Sequence, residues 1–169
     1  SHAFLNLSPG LDFETRLIAR PGIAEVLEAE LRRPSYRVAP LAIGTNTDPY
    51  QPVEKEYRIT RQVLEVLQRQ RHPVAIITKG ALVTRDIDIL ASMAERGLVK
   101  VAISITTLDR MLARKMEPRA TTPPRRLEAI RQLSEAGIPT AVMVAPIIPA
   151  INDAEMEAIL TAAREAGAQ

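Results

Sequence analysis

Four apolar runs in this chain end in polar residues able to hold a ligand. The ends read Gly44-Thr45-Asn46-Thr47-Asp48, then Thr78-Lys79, then Ser104 with Thr106, and finally Ala145-Pro146. Together they bring hydroxyls, an amide and an ammonium toward one face. Thr and Asn after strands also form turn hydrogen bonds, and Lys79 reads equally as a solvated loop charge. The coincidence of four polar ends is the stronger signal, and it predicts a binding face.

Other chemistries are poorly supplied. The chain contains no Cys, so thiol catalysis, disulfides and Cys-ligated metal or iron–sulfur centres have no ligands here. His2 and His72 are the only imidazoles, too few for a histidine metal cluster or a convincing triad. His72 precedes Pro73 and reads as a surface residue. Asp48 and Glu54 are candidate acid/base carboxylates, with turn formation and helix first-turn charge as the plainer readings. Arg125-Arg126 opens a helix as a solvated face, from which Arg126 could reach a carboxylate. Neither G-x-x-x-x-G-K-[ST] nor G-x-G-x-x-G is present.

The elements that must position these residues follow from periodicity. An apolar run over 38–43, broken only by Pro40, leads into the Gly44 crest. Upstream, a weakly alternating segment over 13–20 could be an edge strand. A first helix carries Ile23, Val26, Leu27 and Leu31 on one face and ends at Pro34. A second helix is predicted over 54–71, with Ile59, Val63, Val66 and Leu67 inward. Strand 74–78 follows Pro73. Thr84 is a candidate cap for a third helix through Val83, Ile87, Leu90, Ala91 and Ala94, closed by Gly97. Strand 99–105 comes next, then a basic connection containing Met116-Glu117-Pro118-Arg119. Thr122-Pro123 reads as N-cap and first position of a helix closed by Gly137. Strand 141–148 and a last helix, capped by Asn152-Asp153 and bearing Met156, Ile159, Leu160 and Ala163, complete the pattern.

Four β-then-α units and a weaker fifth at the front predict an α/β protein with a parallel sheet. The strands are continuous apolar runs, so helices are expected over both sheet faces. An open doubly wound sheet and part of a (β/α) barrel both satisfy right-handed crossovers, and both put ligands at the carboxyl ends of the strands. At 169 residues the chain is one domain's worth, short of a full eight-fold barrel of about 250 residues. Net charge is +2 and aromatics are 3%, which argues against a nucleic-acid surface built on stacked rings. No apolar run approaches the roughly 20 residues of a membrane span, and no signal peptide is evident, so a cytoplasmic protein is expected.

The segments GTNTDPYQPVE, EYRITR, IITKG with RDIDIL, ISITTLD, MEPRATTPPRRLEAIRQLSEAGIP and VMVAPIIPAIND, taken in order, resemble radical S-adenosylmethionine (radical SAM) proteins. The similarity is greatest to a bacterial branch near spore photoproduct lyase, the DNA repair photolyase-like proteins. The resemblance implies a parallel β/α fold forming part of an incomplete (β/α)6 barrel. It also implies S-adenosylmethionine (SAM) and a [4Fe–4S] cluster held by a CxxxCxxC loop, which together yield a 5′-deoxyadenosyl radical that abstracts hydrogen from a substrate. That loop is missing here. The first strand, the Cys loop and the last strand are therefore expected outside residues 1–169, with Ser1-His2 just past the loop.

Carried over by position, Thr45 and Asn46 resemble the residues that hold the SAM amino group. Lys79 and Ser104 resemble those at its carboxylate and ribose, Arg126 is a weaker carboxylate candidate, and Ala145 resembles the main-chain position beside the adenine. No metal ligand and no general base is expected in this segment. The implied partners are a substrate not identified by sequence, with nucleic acid one conceivable class, and a reductant such as a ferredoxin or flavodoxin. Unpaired strand edges invite self-association. A non-enzymatic α/β scaffold that has lost the cluster is the rival reading.

Overall fold

The computed structural model describes residues 18–169, so most of the proposed front segment over 13–20 lies outside the described residues. Four strands, β1 (Leu41–Ile43), β2 (Val74–Thr78), β3 (Val99–Ser104) and β4 (Thr140–Met143), form one parallel sheet in the order β1-β2-β3-β4. Spatial order equal to chain order decides between the two architectures left open by the sequence. A doubly wound sheet reverses direction at a switch point. This sheet never does, so right-handed crossovers lay the helices on one face, as in an arc of a barrel.

The helices are α1 (Ile23–Leu31), α2 (Glu54–Tyr57), α3 (Ile59–Arg69), α4 (Ile87–Ala94), α5 (Arg110–Met116), α6 (Pro123–Glu135) and α7 (Met156–Glu165). Val74, Ile76, Val99, Val101 and Ile103 turn to this layer and bury with Leu64, Leu67, Leu90, Met93, Ile130 and Leu133. Alternate residues Ala75, Ile77 and Ala102 are only half-buried, and Lys100 is exposed. The expectation of helices on both faces is thus corrected. Among the described residues no helix layer covers the second face, and its Ile77 lines the cleft.

Local chemistry explains the other departures. Strand β1 begins at Leu41, because Pro40 has no N–H to give a ladder and Val38 stands 69% exposed. Strand β4 stops at Met143, well short of 148. In α1, Val26 is 64% exposed while Ala24 is buried and Leu27 and Leu31 pack on the core, so the inward face is rotated from the predicted one. The long helix over 54–71 is really two. Arg58 adopts φ +49, and the buried Glu54 carboxylate reaches forward to accept from the Thr60 amide at 3.0 Å, capping α3. The expected cap Thr84 sits inside a 3-10 turn (Ala81–Asp86), donating to the Ala81 carbonyl. Gly97 and Gly137, at φ +67 and +74, close α4 and α6 as predicted.

His72 is corrected from surface to core. It is 3% exposed, 2.8 Å from the Tyr36 hydroxyl and 3.0 Å from the Pro73 carbonyl. Asn152 occupies the position before a 3-10 turn (Asp153–Glu155) that opens α7, yet its side chain caps nothing there. It accepts from the Ile148 amide and donates to the Thr106 and Pro146 carbonyls, strapping the loop after β4 to the end of β3.

Candidate functional site

The carboxyl ends of the strands open into a cleft of about 1080 Å³. Asn46, Lys79, Ser104 and Ala145 all line it, so one wall collects residues from the ends of β1, β2, β3 and β4. Thr45 is exposed beside this wall and is not among the lining residues. Thr106 Oγ1, two residues beyond Ser104, is the one buried side-chain oxygen without a partner among the described residues.

Gly44 makes the β1 end possible. At φ +96 it turns the chain so closely over β2 that a Cβ would stand 1.9 Å from the Ile77 carbonyl oxygen. Only glycine fits, on both conformational and steric grounds. Asp48 then fastens the crest. One oxygen accepts from the Tyr50 amide at 2.8 Å and the Thr78 hydroxyl at 2.6 Å, and the other accepts from the Lys79 amide at 2.7 Å. Asp48 is therefore a turn-former that also joins β1 to β2, and its acceptor sites are spent on structure.

The Lys79 ammonium meets Glu117 Oε1 at 2.5 Å and remains 37% exposed toward the cleft. Glu117 Oε2 meets the Arg126 guanidinium. Arg126 is not on a solvated face. It is 2% exposed and donates further to the Ser104 carbonyl at 2.8 Å and the Thr121 carbonyl at 2.6 Å. A fully engaged guanidinium thus fixes Glu117, and Glu117 aims Lys79. Glu117 was legible in sequence only as part of a connecting segment, and its bridging role depends on partners 38 and 9 residues away in opposite directions.

Burial by itself would raise the Glu117 carboxyl, but hydrogen bonds from Lys79 and Arg126 outweigh it and hold the group below the ordinary carboxylate range. Because the folded value lies below the unfolded one, the resulting stabilisation is complete above the ordinary carboxylate range and is lost as pH falls through the folded value. Between about pH 5 and about pH 3, Glu117→Gln is expected to give a shallower loss of denaturant midpoint than the parent chain. Parallel curves would show that the bridge contributes no pH dependence.

Behind the cleft, Tyr50 donates to Asp86 at 3.1 Å, and Asp86, 0% exposed, also receives Arg61 at 3.0 Å and Arg85 at 2.9 and 2.8 Å. Burial and then the Asp86 charge push the Tyr50 phenol far above its ordinary range, so it stays protonated and serves as a donor. Arg85 also reaches Glu54 at 2.9 Å. This network braces the cleft wall; both oxygens of Glu54 are committed, which leaves it no role as an acid/base group.

A profile of the radical SAM superfamily matches residues 16–163. The chain belongs to the radical SAM superfamily. It is 40% identical over 153 residues to the uncharacterized protein Rv2578c of Mycobacterium tuberculosis, covering 90% of this chain and 45% of that protein. It is 31% identical over 109 residues to the uncharacterized protein MJ0683 of Methanocaldococcus jannaschii, covering 64% of this chain and 40% of that one. The radical SAM chain described here therefore spans less than half the length of these relatives. Its fold is shared with Streptococcus suis SuiB, solved bound to S-adenosylmethionine, at a TM-score of 0.60 and 18% identity over 88% of this chain and 32% of SuiB. No helix among the described residues is long and apolar enough to cross a membrane.

The two groups the superfamily implies fare differently against these residues. The Lys79 ammonium, the strand-end Ser104 and the Asn46 amide around an open cleft fit an amino-acid-bearing nucleoside such as SAM. A [4Fe–4S] cluster has no thiolate in the whole sequence, and the described residues hold no group of three or more His, Cys, Asp or Glu placed to bind a metal. These residues do not fit the cluster.

Proposed function

We propose that this chain is the SAM-binding core of a radical SAM enzyme, with its iron–sulfur ligands supplied by another part of a longer polypeptide. The observation that carries the reading is the convergence of Asn46, Lys79, Ser104 and Ala145 on one cleft from four different strands. Lys79 presents a cation to the methionine carboxylate, and Asn46, with Thr45 beside it, presents oxygens to the ammonium. Ser104 meets the ribose, and the main chain at Ala145 lies beside the base. Arg126, engaged by Glu117 and two carbonyls, contributes by holding Glu117 rather than by touching the ligand. On receiving one electron from the reductant, bound SAM would split into methionine and a 5′-deoxyadenosyl radical, and the protein supplies orientation and a sheltered cleft. No general base is needed for that chemistry, in keeping with Asp48 and Glu54 being tied into the fold.

The resemblance of the sequence motifs to the spore photoproduct lyase-like branch supports a kinship with it, and a ferredoxin or flavodoxin is the reductant class we assign. The absence of Cys also supports a second reading, a scaffold that keeps the fold without the cofactor. Titrating the chain with SAM and following backbone amides by NMR separates the two. Saturable shifts centred on residues 45, 46, 79, 104 and 145 are expected. Amides unmoved up to millimolar SAM would favour the scaffold.

A further inference from the structure

The cleft carries more positive charge than a SAM site needs. Among the described residues its lining includes Lys55, Lys79, Arg85, Arg119 and Arg125 against two carboxylates, Asp48 and Glu117. Three members are accounted for by structure. Lys79 faces Glu117, Arg85 faces Glu54 and Asp86, and Asp48 is occupied by its turn. Lys55 and Arg125 have no ion pair among the described residues, and both are exposed. Lys55 lies on α2, which follows β1, and Arg125 lies in the first turn of α6, beyond β3. These two cations therefore stand at separate elements of the cleft lining.

SAM cannot be what this rim answers. It has one carboxylate, already matched by Lys79, and with its ammonium and sulfonium it carries a net positive charge into the cleft. A positively lined cleft concentrates anions at its mouth, and guanidinium and ammonium groups together suit phosphate oxygens. We infer that the rim cations Lys55 and Arg125 bind a phosphate-bearing second ligand, the substrate brought beside SAM. This inference rests on the SAM-binding reading for its placement. The scarcity of rings at the rim leaves charge rather than base stacking to do the recognising.

The test is equilibrium binding of tripolyphosphate, ribose 5-phosphate and a 12-nucleotide single strand to the full chain over a salt series, with SAM affinity measured on the same samples. For the double variant Lys55→Ala/Arg125→Ala, phosphate affinity is expected to fall at least about tenfold. The slope of log affinity against log salt should fall by about two, one for each lost phosphate contact. SAM affinity should move by less than about threefold, because neither residue contacts SAM in the proposed arrangement. Ribose 5-phosphate bound as tightly as the strand would identify a free phosphorylated metabolite, and affinity rising with strand length would identify a nucleic acid; both sustain the inference. If none of the three binds, or if the double variant binds as tightly as the parent, the inference is overturned. No SAM binding by the parent chain, with rim-dependent phosphate binding present, would instead defeat the SAM-binding reading.

Discussion

Replacing Gly44 with alanine lowers the stability of the chain by about 3 kcal/mol or more. Two costs combine: backbone strain at φ +96, worth about 1–3 kcal/mol, and overpacking of a Cβ against the Ile77 carbonyl, worth a further 1–3 kcal/mol or so. For a chain of this length that is a drop in melting temperature of roughly 6–12 °C. Circular dichroism melts of Gly44→Ala against the parent measure it. A neighbouring change on the exposed crest, Thr45→Ala, serves as the control and should melt within about 2 °C of the parent. Equal melting of Gly44→Ala and the parent would mean that the β1 end does not ride as closely on β2 as described.

Lys79→Ala is expected to weaken SAM binding by about 30- to 100-fold, the worth of a charged hydrogen bond of about 2–3 kcal/mol. The fold should survive, because Glu117 keeps Arg126 as a partner and is not left as an unpaired buried charge. Decarboxylated SAM distinguishes a carboxylate contact from general damage to the cleft. It should bind the parent and Lys79→Ala with nearly the same affinity. An equal loss for both ligands would remove Lys79 from the carboxylate and leave it a merely structural neighbour of Glu117. Lys79→Arg should not restore full binding, since a planar fork differs in reach and donor geometry from an ammonium.

How much of this was readable beforehand depended on how far each residue's partners lie along the chain. Strands β2 and β3 were legible because β-branched and apolar residues run from Pro73 or Gly97 to a polar end, interrupted only by Lys100, a signal contained within a few positions. The four polar ends were legible for the same reason, and they do converge on one cleft. The break at Arg58 was not, because it depends on Glu54 reaching both Thr60 and Arg85. The burial of His72 depends on Tyr36, and that of Arg126 on the Ser104 carbonyl and Glu117. Periodicity reports which residues share a face but not whether that face is covered, and so Ile77 reads as core when it lines the half-open cleft.

The Asp48 carboxylate has a consequence for redesign. Because it holds the crest with one oxygen and the Lys79 amide with the other, the ends of β1 and β2 share a single anchor. A library varied at positions 45 to 47 keeps that anchor and can explore new ligand contacts without disturbing Lys79. A crest grafted from another protein without its own aspartate at this point would release the β2 terminus as well. Positions 44 and 48 thus bound a cassette: what lies between them is open to exchange, and the two ends are not.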